Sequence, residues 1–141
     1  MAPVHAPLET ARLQALQSYA ILDTPAEEAY DQLATLAARL CSTPMAVVNF
    51  LDSERQWFKA AVGVPFRQTD RAISFCTHAL SGTRTPMVVA DARQHPLFAD
   101  NPLVTGAPDI RFYAGMPLAD SEGHNLGTLC VIDRQPRQLS V

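Results

Sequence analysis

Cys76, His78, Arg111, Tyr113, Asn49, Thr128 and Cys130 are the side chains whose types and spacing could do chemistry or hold a small molecule. Ser74 is placed to cap a short helix over SFCTHAL (74–80), ended by Gly82. Cys76 falls at its second position, where free backbone N–H groups and the helix dipole favour a thiolate. It is either a reactive thiol or a small buried hydrophobe. His78 follows two residues later and points about 200° away on a helix, so the two form no nucleophilic dyad. It is a pocket hydrogen-bonder, a haem ligand, or a histidine satisfied by backbone. Arg111 and Tyr113 alternate with Phe112 and Ala114 and so share one strand face. They present a guanidinium and a phenol to a cavity, unless Arg111 instead pairs with Asp91, Asp100 or Asp109 and fixes a loop. Thr128 and Cys130 share a face of one strand, as Asn49 does with Val47 and Leu51. They form either a lightly polar pocket floor or ordinary buried groups bonded to neighbouring backbone.

Phe75, next to Cys76, and Asp91 and Phe98, in a long proline-studded stretch, complete the expected ligand-binding set. No catalytic residue is assigned. No HxH, HExxH or CxxC spacing occurs, so no metal site is expected. The six glycines are each isolated, which leaves no phosphate-cradling loop.

The elements that must position these residues can be read in order. Leu13, Leu16 and Ala20 recur at helical spacing between Pro7 and Pro25, predicting a first helix over Leu8 to Leu22. Thr24, Pro25 and Glu27 match a capping box, predicting a second helix from about Pro25 to about Leu40 with an apolar stripe of Ala29, Leu33, Leu36 and Leu40. MAVVNFL (45–51) and QWFKAAV (56–62) flank the turn DSER and read as a hairpin, with Trp57 and Phe58 on opposite faces. VPFRQTDRAI (64–73) reads as loop. PMVVA (86–90), IRFYAGMPL (110–118) and NLGTLCVID (125–133) are further strands. The stretch from Asp91 to Asp109 is a long irregular loop, and such loops are often functional lids. This order of two helices, then five strands broken by one short helix, predicts an α+β fold with a mostly antiparallel sheet, helices on one face and a pocket under the loop on the other.

Composition narrows the function. The chain has 141 residues, 48% apolar and 18% charged, and fits one folded domain. Net charge is −3, Lys59 is the single lysine, and no basic stripe is available for nucleic acid. Three widely spaced cysteines suit reduced thiols in a cytoplasmic protein. Neither a secretory leader nor a membrane-spanning run is present, so no membrane contact is expected of this segment.

YAILDTP (19–25), VVNFLDSERQWFK (47–59), SFCTHAL (74–80), FADNPLVTG (98–106), IRFYAGMPL (110–118) and LGTLCVID (126–133) together resemble GAF domains of bacterial sensor proteins. The likeness spans nearly the whole chain in order. It implies a GAF/PAS-like antiparallel sheet of five to six strands, with helices on one face and a short helix plus long loop on the other. It also implies a single domain over 1–141 that regulates a signalling protein of histidine kinase or diguanylate cyclase type, as in two-component systems. The ligand and any cofactor are left unknown. In such proteins the segment resembling PRQLS leads into a final helix, which is missing before Val141, so the first two helices would expose apolar surface and favour a homodimer.

Two other classes come from the same resemblance. One is a redox enzyme like the free methionine sulfoxide reductases, although these thiols do not fall in the pattern expected of them. The other is a bilin or haem sensor, but Cys76 is followed by Thr77 and not by the histidine of a bilin attachment site. The asparagine–lysine pair of cyclic-nucleotide-binding relatives is also missing, since Asn49, Asn101 and Asn125 lack a following lysine. A small ligand between sheet and loop, relayed through helix packing, is therefore the leading expectation.

Overall fold

Every residue of MAVVNFL is buried, a pattern that requires cover on both faces of its strand. The computed structural model, which describes residues 6–64, 66–75, 87–106, 109–121 and 123–137, shows how this is met. The elements in chain order are α1 (Ala6–Ser18), α2 (Glu28–Cys41), β1 (Met45–Leu51), β2 (Arg55–Val62), β3 (Gln68–Asp70), β4 (Met87–Val89), α3 (Pro102–Thr105), β5 (Phe112–Ala119) and β6 (Asn125–Asp133). Two 3-10 turns, Arg71–Ile73 and Ala92–Gln94, punctuate the loops. The strands form one six-stranded sheet in the order β3-β2-β1-β6-β5-β4. All its pairings are antiparallel.

β1 and β6 occupy the middle, and their alternating side chains feed two cores. Ala46, Val48 and Phe50 join Trp57, Ala60, Phe112, Ala114 and Val131 beneath α1 and α2, with Leu16, Ala34 and Ala38 of the helices. Met45, Val47 and Leu51 face the other way and pack with Phe58, Phe75, Phe98, Val104, Ile110 and Tyr113. Trp57 and Phe58 thus do lie on opposite faces. The α+β class and the six-strand antiparallel sheet agree with the expectation from the sequence.

Two helical details depart from it. α2 starts at Glu28, and its N-cap Glu27 makes no side-chain cap bond. Thr24, expected as the cap, donates its Oγ1 to Ile21 O instead. The reason is Lys59. Its side chain is fully buried, and its Nζ reaches Thr24 Oγ1 at 2.7 Å, Pro25 O at 2.6 Å and the Glu27 carboxylate at 2.5 Å. A buried ammonium must find acceptors, and it takes those the capping box would have used. α1 ends at Ser18, four residues short of Leu22, where Ala20 (φ 50°) and Asp23 (φ 60°) turn the chain in left-handed conformations.

The apolar stripe of α2 turns outward. Small residues, Ala34 and Ala38, face the sheet and let the helix approach closely, while Leu33, Leu36 and Leu40 are 42%, 53% and 76% exposed.

The segment 64–73, read as loop, contains β3, which pairs with β2 through Arg55↔Asp70 and Trp57↔Gln68. The stretch from Asp91 to Asp109 is shorter in irregular backbone than expected, because Asn101 caps α3 by accepting from Leu103 N at 2.9 Å. The expected helix 74–80 lies, beyond Phe75, outside the described residues.

Candidate functional site

The face of the sheet opposite α1 and α2 is roofed by the loop that carries α3. Two side chains pin this roof through backbone carbonyls. Asn101 Nδ2 donates to Ile73 O at 3.0 Å. Arg111 Nη1 donates to Val104 O at 2.8 Å and to Ile110 O at 3.1 Å. Arg111 therefore fixes the loop, though by carbonyls of the roof and not by the carboxylate of Asp91, Asp100 or Asp109. Carbonyls of a one-turn helix are left unpaired by the helix itself, which makes them good acceptors for a guanidinium.

Beneath the roof lies an apolar chamber bounded by Met45, Val47, Phe58, Phe66, Phe75, Leu103, Ile110, Tyr113, Cys130 and Ile132, with Gln56 and Thr69 as polar neighbours. Its free volume is about 30 Å³, room for roughly two water molecules. That is far smaller than a haem or bilin needs. Aromatic rings account for the filling. Phe75 stacks on Phe98 with centroids 4.1 Å apart, and Tyr113 lies 5.2 Å from Phe75. Tyr113 takes its place because residue 115 is glycine: a Cβ there would stand 2.2 Å from the Tyr113 hydroxyl.

The ten residues singled out from the sequence divide accordingly. Phe75, Tyr113 and Cys130 line the chamber. Phe98 is fully buried behind Phe75. Asn49 and Thr128 lie on the chamber side of the sheet but bond each other, Asn49 Nδ2 to Thr128 Oγ1 at 2.9 Å, with Cys130 Sγ 3.9 Å from the same nitrogen. They close a buried network and are not among the lining residues. Asp91 is engaged by its own loop. It caps the turn Ala92–Gln94 by accepting from Arg93 N and pairs with the Arg93 guanidinium at 2.9 Å, which holds its carboxyl below the usual range. Cys76 and His78 lie outside the described residues. Sequence reading missed Phe58, Phe66, Leu103 and Ile110 as chamber walls. Phe58 was legible as one of two opposite faces of its strand, whereas Ile110 precedes β5 and breaks the alternation that groups it with Phe112 and Ala114, and Phe66 and Leu103 sit in segments without period.

Among the described residues Cys41 and Cys130 stand outside any disulfide, and no group of three or more metal-ligating side chains occurs. No helix among them is long and apolar enough to cross a membrane.

A helix-backed antiparallel sheet with a loop-roofed chamber on its far side defines a class of small sensory α+β modules. The GAF domain family model matches residues 20–140, and the chain belongs to the GAF domain family. It is a regulatory domain of the sensory signalling kind. A cyclic di-GMP phosphodiesterase of Pseudomonas aeruginosa is 46% identical over 129 residues, covering 92% of this chain but 22% of that protein. The chain thus spans about a fifth of that relative's length. Among solved structures, the GAF domain of a phosphoenolpyruvate-protein phosphotransferase from Coxiella burnetii has a TM-score of 0.62 at 15% identity, covering 97% of this chain and 84% of the other. A free methionine-R-sulfoxide reductase from Neisseria meningitidis has a TM-score of 0.62 at 17% identity, covering 99% and 81%. At such identities these likenesses speak for the fold alone.

Proposed function

We propose that this chain is the GAF module of a longer cytoplasmic signalling protein, and that it works as a dimerising relay through α2 rather than as an enzyme. The output domain is of the kind that makes or breaks a cyclic dinucleotide or phosphorylates a partner. The 46% identical stretch of a cyclic di-GMP phosphodiesterase favours cyclic-dinucleotide turnover. A small ligand, where one acts, enters the apolar chamber only after the roof shifts, since the free volume is about 30 Å³.

The observation that carries this reading is the outward stripe of α2. Ala29, Leu33, Leu36 and Leu40 follow one another at the 4-3-4 spacing of a coiled-coil seam. The three leucines are 42%, 53% and 76% exposed. Covering them is worth roughly 3 to 5 kcal/mol per protomer before the costs of association. Two copies meeting along α2 would satisfy this surface, and a shift of that seam would carry a signal.

Sedimentation velocity on the wild type and on the pair Leu36→Glu with Leu40→Glu tests the reading. A wild-type dimer at tens of micromolar that becomes a folded monomer in the double variant is expected. A wild type that stays monomeric, or a variant that stays dimeric, overturns it.

A further inference from the structure

A second cavity opens on the helical side of the sheet, where the α1–α2 connector passes over the ends of β5 and β6. It encloses about 350 Å³ and is lined by Tyr19, Tyr30, Phe50, Leu118, Leu126 and Asp120, among others. This is more than ten times the volume of the chamber under the roof. It falls at the lower end of the range typical of small-molecule sites.

The chemistry of the lining is one-sided. Three aromatic rings line it, and among its described lining residues Asp120 carries the one charged side chain. That carboxylate is held in place, its Oδ1 accepting from His124 N at 2.8 Å and its Oδ2 lying 3.0 Å from His124 Nδ1. Its side chain is 6% exposed, so little water screens it. The Tyr30 ring already stands 5.4 Å from the Lys59 ammonium, which Glu27 neutralises. Tyr19 is 56% exposed.

We propose that this groove binds a small organic cation, an ammonium on an aromatic or alkyl body. The body lies on Tyr19, Phe50, Leu118 and Leu126, and the charged head lies at Asp120 within reach of the ring faces. An anion of the same shape would meet the Asp120 carboxylate and, among the described lining residues, no cation. The site lies on the face opposite the roofed chamber and is independent of it. Because Tyr19 belongs to the α1–α2 connector, occupancy would tie that connector to the sheet, next to the segment that Lys59 grips.

Phe50 pairs directly with Trp57, the single tryptophan, so indole fluorescence reports what enters. Three probes of one shape are titrated into the whole chain: 2-phenylethylammonium, 2-phenylethanol and phenylacetate, with calorimetry alongside. Saturable binding of the ammonium is expected, at least 10-fold tighter than the alcohol, with no binding of the carboxylate. Asp120→Asn keeps an oxygen acceptor for His124 N and is expected to abolish the preference for the ammonium. Tyr19→Ala, at an exposed position, is expected to weaken binding at least 5-fold without unfolding the protein. Equal affinity for the three probes, no saturable binding below millimolar concentrations, or folded variants that bind like the wild type would each overturn the proposal.

Discussion

Removing Glu27, which is more than half exposed, is expected to cost more stability than removing the fully buried Lys59 it pairs with. The two side chains are 57% and 0% exposed, and meet at 2.5 Å. In Glu27→Ala the ammonium keeps the neutral oxygens of Thr24 and Pro25 and loses its countercharge. Breaking a buried pair from one side costs about 3 to 5 kcal/mol, and water reaching the vacated carboxylate position brings this to about 2 to 3 kcal/mol. In Lys59→Met the stem stays packed, the carboxylate returns to water, and Thr24 Oγ1 keeps its bond to Ile21 O. Only Pro25 O loses a donor, at about 1 kcal/mol. The double variant should therefore resemble Lys59→Met alone, with a coupling of about 2 kcal/mol. Urea unfolding followed by Trp57 fluorescence measures all four proteins. A Lys59→Met loss larger than that of Glu27→Ala, or simple additivity, would refute the reasoning.

Two further outcomes follow from named contacts. Burial raises the Glu9 carboxyl, but hydrogen bonds and charge from Arg12 and Arg71 outweigh it and hold the group down to about 2, from 4.5. The folded form is thus the weaker proton binder, and the stability it contributes is complete above pH 4.5 and lost as pH falls toward 2. Glu9→Gln should flatten the unfolding midpoint across that window, which acid-range denaturation curves will show. Gly115→Ala forces a Cβ to within 2.2 Å of the Tyr113 hydroxyl. It should cost about 1 to 3 kcal/mol in thermal unfolding, with Tyr113→Phe recovering part of the loss.

Most of the sheet was legible because its strands are short β-rich runs separated by turn residues. The alternation of Val47, Asn49 and Leu51 grouped these three on one face, and Val47 and Leu51 lie on the chamber side. β3 was hidden because Gln68, Thr69 and Asp70 carry no apolar signal and owe their pairing to β2. The capping box failed through a contact 35 residues away in sequence, between Lys59 and Thr24, which no local pattern encodes. For the polar residues singled out, the sequence left open whether they face a ligand or serve the fold, because their partners are set by tertiary contacts. Asn49 donates to Thr128, Asp91 serves its own turn, and Arg111 grips carbonyls whose position depends on α3. The chamber's tightness was equally illegible, since side-chain volumes add up only in three dimensions.

Among the described residues the two outermost strands span three residues each, Gln68–Asp70 and Met87–Val89. Rims this brief give another chain almost no ladder to extend, which guards the sheet against growing sideways into fibres. Association is thereby steered to the broad sides of the molecule, and any mutation that lengthened either rim would open a competing route.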